Sequence, residues 1–443
     1  MSRTAPHAPD GLALVRYAAQ TESALCAQDE AWAASGWTRR RFLSGLGMAG
    51  VAALGSQLVT TRVAYGASTA GTRNTLITVF LRGAADGLRI LVPASAALGV
   101  DYLHGVRAAL VPPSTGLISL PGTGGWALNA AMRPLYDLLW NTGELAFVPA
   151  VASPSVSRSH FQSQQMLERG GSAAASTGWL DRVLVELGPG TTFRAVAAGS
   201  AAPAALAGNQ PALVLDSLAG FTFPGWAGIR PQAEAAIRTL YRGQAGTLGQ
   251  DVPTTLTALS TAAKARAALG VRNGAVYPGG NFSAALKDVA ALLRAEVGLQ
   301  VATVDVGGWD THTQEAVNLD AHLTSAAGSL AAFMKDLGPT RRQRVTVLVV
   351  TEFGRRVAIN GSGGTDHGHG SVAWLLGGGV VGKAVHGSWQ QLSDGVLDHG
   401  DVPALNSPFD VMGELAQKRL GVGSLATIFP GHSFAALGVA RTV

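Results

Sequence analysis

Short, almost wholly apolar runs alternate along the chain with longer stretches in which apolar residues recur at helical spacing. The short runs have the length and continuity of strands that are buried on both faces of a parallel sheet. They are Thr75–Leu81, Leu145–Val151, Val301–Val306 and Val345–Val350. The predicted helices are Pro134–Asn141, His160–Arg169, Gln232–Arg242, Pro253–Ala268, Ala284–Val297 and Ala316–Leu337. This alternation predicts an α/β fold, a three-layer sandwich around a mostly parallel central sheet.

Residues 219–280 show little strand pattern, and we predict that they form a helical cap inserted into this fold. Loops are predicted at 170–177 and 243–252, where Gly, Ser, Ala and Thr dominate. No clear linker interrupts residues 67–443, so the simplest expectation is one large domain.

The first 66 residues have the pattern of an export signal. The segment Thr38–Leu43 contains two consecutive arginines, one further residue and two apolar residues, as in twin-arginine signals. The Gly/Ala-rich stretch that follows is less apolar than a membrane span, and Ala64 and Gly66 suit a signal peptidase. An amphipathic or anchoring helix is the alternative. We predict a signal peptide at 1–66, the twin-arginine translocation machinery as a partner, and a periplasmic or secreted product.

Charge and cysteine content argue against several classes of protein. The formal net charge is +5, but after residue 66 basic residues occur only singly or in pairs, as in Arg341–Arg342, so we expect no nucleic-acid partner. No further apolar segment is long enough to predict a stable membrane span. The only cysteine, Cys26, lies in the predicted signal peptide, so disulfides are not expected. A redox cofactor is weakly supported, because Gly83–Gly87 lacks the dinucleotide-binding glycine pattern.

Residues of metal-ligand type follow the predicted strands. Ligands bind beyond the carboxyl ends of strands in open α/β sheets, and carboxylates together with imidazoles suit a divalent cation such as zinc. The residues are Asp86, Asp310, His312, Glu352, Asp366, His367 and His369. Their joint placement predicts one shared site.

Each of these residues also has an ordinary structural interpretation. Asp86 is typical of an Asx turn, and Asp310 has the spacing of a cap for a helix that begins near Thr313. A salt bridge to a following arginine would explain Glu352. The Gly-rich segment around His367 is also typical of a surface loop.

The segment Ser157-Arg158-Ser159 precedes the helix predicted from His160. Ser159 and Gln162 have the spacing of a capping box. A hydroxyl at a helix start beside Arg158 would also suit the binding of a phosphate or sulfate group. Both interpretations stay open.

Five ordered motifs resemble those of the domain-of-unknown-function 1501 family, which is grouped by resemblance with the alkaline phosphatase–sulfatase superfamily of metallohydrolases. The resemblance spans about residues 73–440 and implies an alkaline phosphatase-like fold. The motifs are Leu81–Leu88, Ser159–Phe161, Gly308–His312, Thr351–Arg355 and Gly364–Gly368.

The resemblance implies a role for each residue. Asp86, Asp310, His312, Glu352 and His367 or His369 would bind a divalent ion such as zinc, manganese, magnesium or calcium. A serine of the segment Ser157–Ser159 would be the nucleophile. Phe353 stands where the superfamily has a histidine, so a complete second metal site is not implied. The resulting hypotheses are a hydrolase of small anionic phosphate or sulfate esters and a non-catalytic binding or assembly module with the same fold.

Overall fold

The computed structural model describes residues 74–155, 157–172, 175–223, 230–242 and 247–442, so the predicted signal peptide lies outside the described residues. The strands are β1 (Thr75–Leu81), β2 (Leu91–Pro93), β3 (Leu117–Ser119), β4 (Trp126–Asn129), β5 (Leu145–Val151), β6 (Ala195–Ala198), β7 (Leu213–Leu215), β8 (Val301–Val306), β9 (Val345–Thr351), β10 (Ser371–Gly377) and β11 (Ala384–Val385). The helices of eight or more residues are α1 (Val100–Arg107), α2 (His160–Glu168), α3 (Trp179–Glu186), α4 (Arg230–Leu240), α5 (Thr247–Ala267), α6 (Asn281–Arg294), α7 (Glu315–Arg342) and α8 (Pro408–Leu415).

Eight strands form one sheet in the order β11-β5-β10-β9-β1-β8-β6-β7. Neighbouring strands are parallel except at β10, which runs antiparallel to both β5 and β9. The predicted α/β fold with a mostly parallel sheet is therefore confirmed. The strands β2, β4 and β3 form a second, antiparallel sheet.

Helices cover both faces of the large sheet. On one face, Leu76 and Phe80 of β1 share a buried core with Leu167 of α2, Trp179 of α3 and Phe409 of α8. On the other face, α6 packs on β6 and β8, and α7 packs on α6 and β9. Each fully buried aliphatic side chain in such a core contributes about 1.5–3 kcal/mol to stability. The three predicted layers are thus present.

Several elements differ from the prediction. The strands β6 and β7 are only four and three residues long, and β6 is mostly alanine, so their strand signal is weak. The helix predicted at Pro134–Asn141 is a short α-helical turn at Arg133–Leu135 that continues as a π-helix at Tyr136–Trp140. Pro253, the predicted start of a helix, lies inside α5.

The predicted cap region, 219–280, contains α4 and α5. The described residues between 223 and 253 belong to a compact unit distinct from the unit that contains the described residues before 223 and after 253. In the described part of the chain, every helix is too short or too polar to cross a membrane.

The topology gathers the predicted site segments at one edge of the sheet. Because β1, β5, β8 and β9 point the same way, the loops that follow them leave at the same carboxyl edge. The antiparallel strand β10 begins at that edge, so the whole connection 352–370 from β9 to β10 stays there.

Candidate metal centre

Three histidines and one aspartate meet at this edge. His160, Asp310 and His367 each offer a ligand atom, and these atoms lie within 4.8 Å of one another. His312 Nε2 lies 3.1 Å from Asp310 Oδ1 and 3.0 Å from His367 Nε2. Asp310 Oδ1 is 3.2 Å from His367 Nε2, and Asp310 Oδ2 is 3.5 Å from His160 Nε2. We call these four residues the histidine–aspartate cluster.

The loop after β8 delivers Asp310 through close backbone packing. A Cβ atom at Gly83, which has a φ of 124°, would lie 2.5 Å from the backbone N of Asp310. Only glycine therefore lets the turn after β1 contact this loop. The alternative role of Asp310 as a helix cap is wrong, because α7 begins at Glu315 and its N-cap is Gln314.

Each histidine of the cluster holds its Nδ1 atom against an oxygen. His160 Nδ1 lies 2.8 Å from Glu352 Oε1, and His367 Nδ1 lies 2.8 Å from the Arg158 carbonyl oxygen. His312 Nδ1 lies 3.3 Å from Asp366 Oδ1. In the tautomer in which each Nδ1 donates to its oxygen, each neutral ring keeps its lone pair on Nε2. Metal-binding histidines are oriented in this way.

All three Nε2 atoms face Asp310, and those of His312 and His367 also face each other. His160 Nε2 is buried and makes no hydrogen bond within the described structure. Two imidazole lone pairs 3.0 Å apart, as in His312 and His367, repel unless a metal ion or a proton lies between them. The residues present therefore fit a bound cation. Three imidazoles with one carboxylate suit zinc or a similar transition metal better than magnesium or calcium.

Glu352 lies behind His160 rather than facing the other ligands. It is 3 % exposed and accepts hydrogen bonds from Gly83 N and Gln164 Nε2, both at 2.9 Å. Burial alone would raise the pKa of Glu352, but the hydrogen bonds from His160 and Gln164 hold it below its usual range. Glu352 is thus an ionised acceptor that orients His160, where the sequence suggested a direct ligand or a salt bridge to a following arginine.

Arg355 fixes Asp310 in place. Its buried guanidinium donates to Asp310 Oδ1, to the Ala84 carbonyl oxygen at 2.7 Å and to the Thr365 carbonyl oxygen at 3.0 Å. Burial alone would raise the pKa of Asp310, but the hydrogen bond and charge of Arg355 lower it. One side chain therefore ties together the loops after β1, β8 and β9.

Phe353 forms an apolar wall of the cluster. It is buried, and its ring centroid lies 5.1 Å from those of both His160 and His367.

The hydrogen bond to Glu352 raises the pKa of His160, whereas burial lowers the pKa of His367. Protons therefore compete with a cation more strongly at His160 than at His367.

The structure places Asp86 outside the cluster. Its buried carboxylate accepts from Leu88 N at 3.1 Å, as an Asx turn does, and pairs with Arg107. Glu315 Oε1 lies 3.4 Å from the same guanidinium, and Glu315 Oε2 accepts from Thr365 Oγ1. Asp86 is thus a member of a buried network that supports the site loops. We call Asp86, Arg107, Glu315 and Thr365 the buried acid network.

The segment after β5 differs from the predicted anion clamp. Arg158 pairs with Asp401 at 2.6 Å. Ser157 Oγ donates to Gln162 Oε1 at 3.0 Å, and Ser159 is the N-cap of α2 without a side-chain capping bond. The predicted capping box of Ser159 and Gln162 is therefore wrong. Neither serine hydroxyl bonds to the cluster among the described contacts.

Asp366, His367 and His369, in and just after the motif Gly364–Gly368, have three different roles. His367 belongs to the cluster, and Asp366 bonds to His312 from the outside. His369 is buried apart from both, with Nε2 2.9 Å from the Ser153 carbonyl oxygen. The sequence also missed His160, although it satisfies the criterion used for the other residues, since it closely follows a buried strand.

The sequence matches the model of a family described as "Protein of unknown function (DUF1501)" over residues 148–420, which include the whole cluster, Glu352 and Arg355. A comparison with curated proteins gives no match. Among solved structures, the alkaline phosphatase from the Antarctic bacterium TAB5 is 11% identical, with 69% of this chain and 92% of that chain covered and a TM-score of 0.28. The PsFucS1 sulfatase from Pseudoalteromonas sp. is 10% identical, with 90% of this chain and 77% of that chain covered and a TM-score of 0.33. Because the family match spans more than half of the chain, this protein belongs to the DUF1501 family of proteins of unknown function.

Proposed function

We propose that this protein is a metal-dependent hydrolase of phosphate or sulfate esters. The observation that supports the proposal is the set of three Nε2 lone pairs around Asp310, each oriented by an oxygen that binds the opposite ring nitrogen. A divalent ion bound there would polarise an ester oxygen and lower the pKa of an attacking hydroxyl or water.

The surrounding residues support binding and orientation. His160, Asp310, His312 and His367 would hold the ion, and Phe353 excludes water from one side. Asp310 and His312 are 46% and 41% exposed, so an ester can approach from their side.

Ser157 and Ser159 remain the proposed nucleophiles, and the half-exposed Arg158 the proposed anion-binding residue. The Arg158 carbonyl oxygen touches His367, which brings this segment to the cluster. Ser157 would have to release Gln162 before it could attack. That requirement is the observation that favours the second hypothesis, a module that binds a metal or ligand without turnover.

The zinc-loaded protein is expected to hydrolyse at least one member of a panel of aryl and sugar phosphates and sulfates, and to lose this activity on chelation. His367→Ala should lower kcat/KM by more than about 100-fold, beyond the loss typical of residues that only orient a ligand. His104→Ala, at an exposed histidine of α1, is the matched control and should leave the rate unchanged. Bound metal without turnover of any ester would favour the non-catalytic module. Absence of both metal and turnover would overturn the proposal.

We also propose that the chain is exported by the twin-arginine machinery to the periplasm or the medium, on the pattern of Thr38–Leu43. The double substitution Arg39→Lys and Arg40→Lys is expected to retain the protein in the cytoplasmic fraction. Fractionation with immunodetection measures the distribution. An unchanged distribution would contradict this route.

A further inference from the structure

A cleft of about 430 Å³ opens at the carboxyl ends of β6, β7 and β8. This volume lies within the range of small-molecule sites, and the position is the edge at which open α/β sheets bind ligands. Its polar lining residues are Ser200, Asp216, Asn281, Thr303 and Asp305. The histidine–aspartate cluster uses none of them.

The cleft exists because the residues that line it are small. Residues 197–201, with the sequence Ala-Ala-Gly-Ser-Ala, form one wall, and Ala284 and Ala285 of α6 form another. Larger side chains at these positions would fill the space, as they do in a close-packed interior.

Thr303 lines this cleft and also a smaller neighbouring pocket that Phe80 and Trp179 line. It is 4% exposed, and its Oγ1 atom has no hydrogen-bond partner within the described structure. Leaving a buried hydroxyl unpaired is unfavourable, and a ligand group that bonds to it would remove that cost.

The charges around the cleft favour an uncharged ligand. Asp216 and Asp305 disfavour an anion. The first turn of α6 also lines the cleft, and its N-cap Gly280 offers no side-chain cap, so its free N–H groups and helix dipole disfavour a cation. Arg82 pairs with Asp305 at 2.9 Å and offsets the negative charge of that carboxylate. A ligand with both donors and acceptors but no net charge, such as the hydroxyl groups of a sugar, suits the whole set.

The cleft and the cluster share the end of β8. Asp305 lines the cleft and Asp310 belongs to the cluster, and five residues of chain span at most about 18 Å. Arg82 joins the two sites, because its guanidinium pairs with Asp305 and its carbonyl oxygen accepts from Trp309 N at 3.3 Å. One extended ligand can therefore contact both sites.

We propose that this cleft binds a neutral carbohydrate unit, and that a sugar bound there carries the phosphate or sulfate ester to the cluster. The second part rests on the proposed hydrolase function, whereas the carbohydrate site itself does not.

An array of unesterified neutral oligosaccharides tests the site without any turnover. Wild-type and Asp310→Ala proteins are both expected to bind at least one member. Ala284→Trp, which fills the cleft from an exposed position, should weaken this binding by more than about tenfold, the effect of losing one or more hydrogen bonds. Ala263→Trp, at an exposed position of α5, is the matched control. Absence of binding to every member, or equal binding by Ala284→Trp, would overturn the site.

Thr303→Val is a second variant that separates binding from folding. It removes an unpaired buried hydroxyl, so its thermal midpoint should be equal to or higher than that of the wild type. Its affinity for the same oligosaccharide should nevertheless fall by about tenfold. Unchanged affinity would contradict a role for Thr303.

Kinetics distinguish the failure of this inference from the failure of the proposed function. With p-nitrophenyl phosphate or sulfate, which carries no sugar, Ala284→Trp should keep the wild-type kcat/KM. With an ester of the bound oligosaccharide, its KM should rise about tenfold at unchanged kcat, as expected for lost ground-state binding. Sugar binding without turnover of any ester would contradict the proposed hydrolase function and leave the carbohydrate site in place. Turnover of an ester without sugar binding would contradict the carbohydrate site and leave the proposed hydrolase in place.

Discussion

Replacement of Asp310 by Ala is expected to lower the metal content of the purified protein from about one ion per chain to near zero. Asp310 is the only carboxylate in the cluster, and its oxygens lie 3.1 to 3.5 Å from the Nε2 atoms of all three histidines. Without it, three neutral rings remain beside the buried positive charge of Arg355, which repels a cation. Elemental analysis of protein purified after metal loading measures the effect.

Two other carboxylate substitutions serve as comparisons for Asp310→Ala. Glu352→Gln should weaken metal affinity by about 10–100-fold, because an amide oxygen still accepts from His160 but no longer carries a charge. Asp101→Ala, at an exposed position of α1, should leave the metal content unchanged. Full metal occupancy in Asp310→Ala would remove the cluster as the binding site.

Replacement of Arg107 by Met is expected to lower the free energy of unfolding by about 3–5 kcal/mol, the usual effect of leaving a buried charge unpaired. Arg107 is 2% exposed and is the cation of the buried acid network. Burial alone would raise the pKa of Asp86, but the charge and hydrogen bonds of Arg107 hold it below its usual range. Urea unfolding at neutral pH, compared with the wild type, measures the loss. A loss under about 1 kcal/mol would show that the network is not desolvated.

Glu315→Gln is the control for this network and predicts a pH dependence. Burial and the neighbouring charge of Asp86 raise the pKa of Glu315 to about 9. The folded state therefore binds a proton that the unfolded state has lost, and stability falls as pH rises from about 4.5 toward 9. The slope from this group is at most about 1.4 kcal/mol per pH unit. Glutamine cannot ionise, so the variant should equal the wild type near pH 4 and become progressively more stable than it between about pH 4.5 and 9. Parallel curves for the two proteins would contradict a protonated Glu315.

The sequence predicts the central strands of the large sheet better than the two outer strands β6 and β7. The strands β1, β5 and β8 have their predicted bounds, because continuous apolar runs of six or seven residues have few other structural interpretations. The strands β6 and β7 were not predicted, because runs of only three or four residues acquire strand character from their neighbours in the sheet.

The sequence likewise predicts only part of the candidate site. Asp310, His312 and His367 follow predicted strands, and the structure brings them together. Asp86 follows a strand equally closely, yet it faces Arg107, which lies 21 residues further along the chain. Spacing cannot show which of two buried partners a carboxylate meets. Nor can it show that Glu352 orients a histidine, because that role depends on Gln164 and Gly83 in other segments.

The long sequence separations within the cluster affect how the protein is made. His160 lies 192 residues from Glu352, which orients it, and Asp310 lies 57 residues from His367 within the cluster. A chain still emerging from the ribosome with its synthesis stopped before Asp310 contains only one of the four cluster residues, His160. No partial product of translation up to that point can capture an ion at this site, and stable capture requires the connection into β10. An ion held by all four cluster residues would therefore show that synthesis has passed His367.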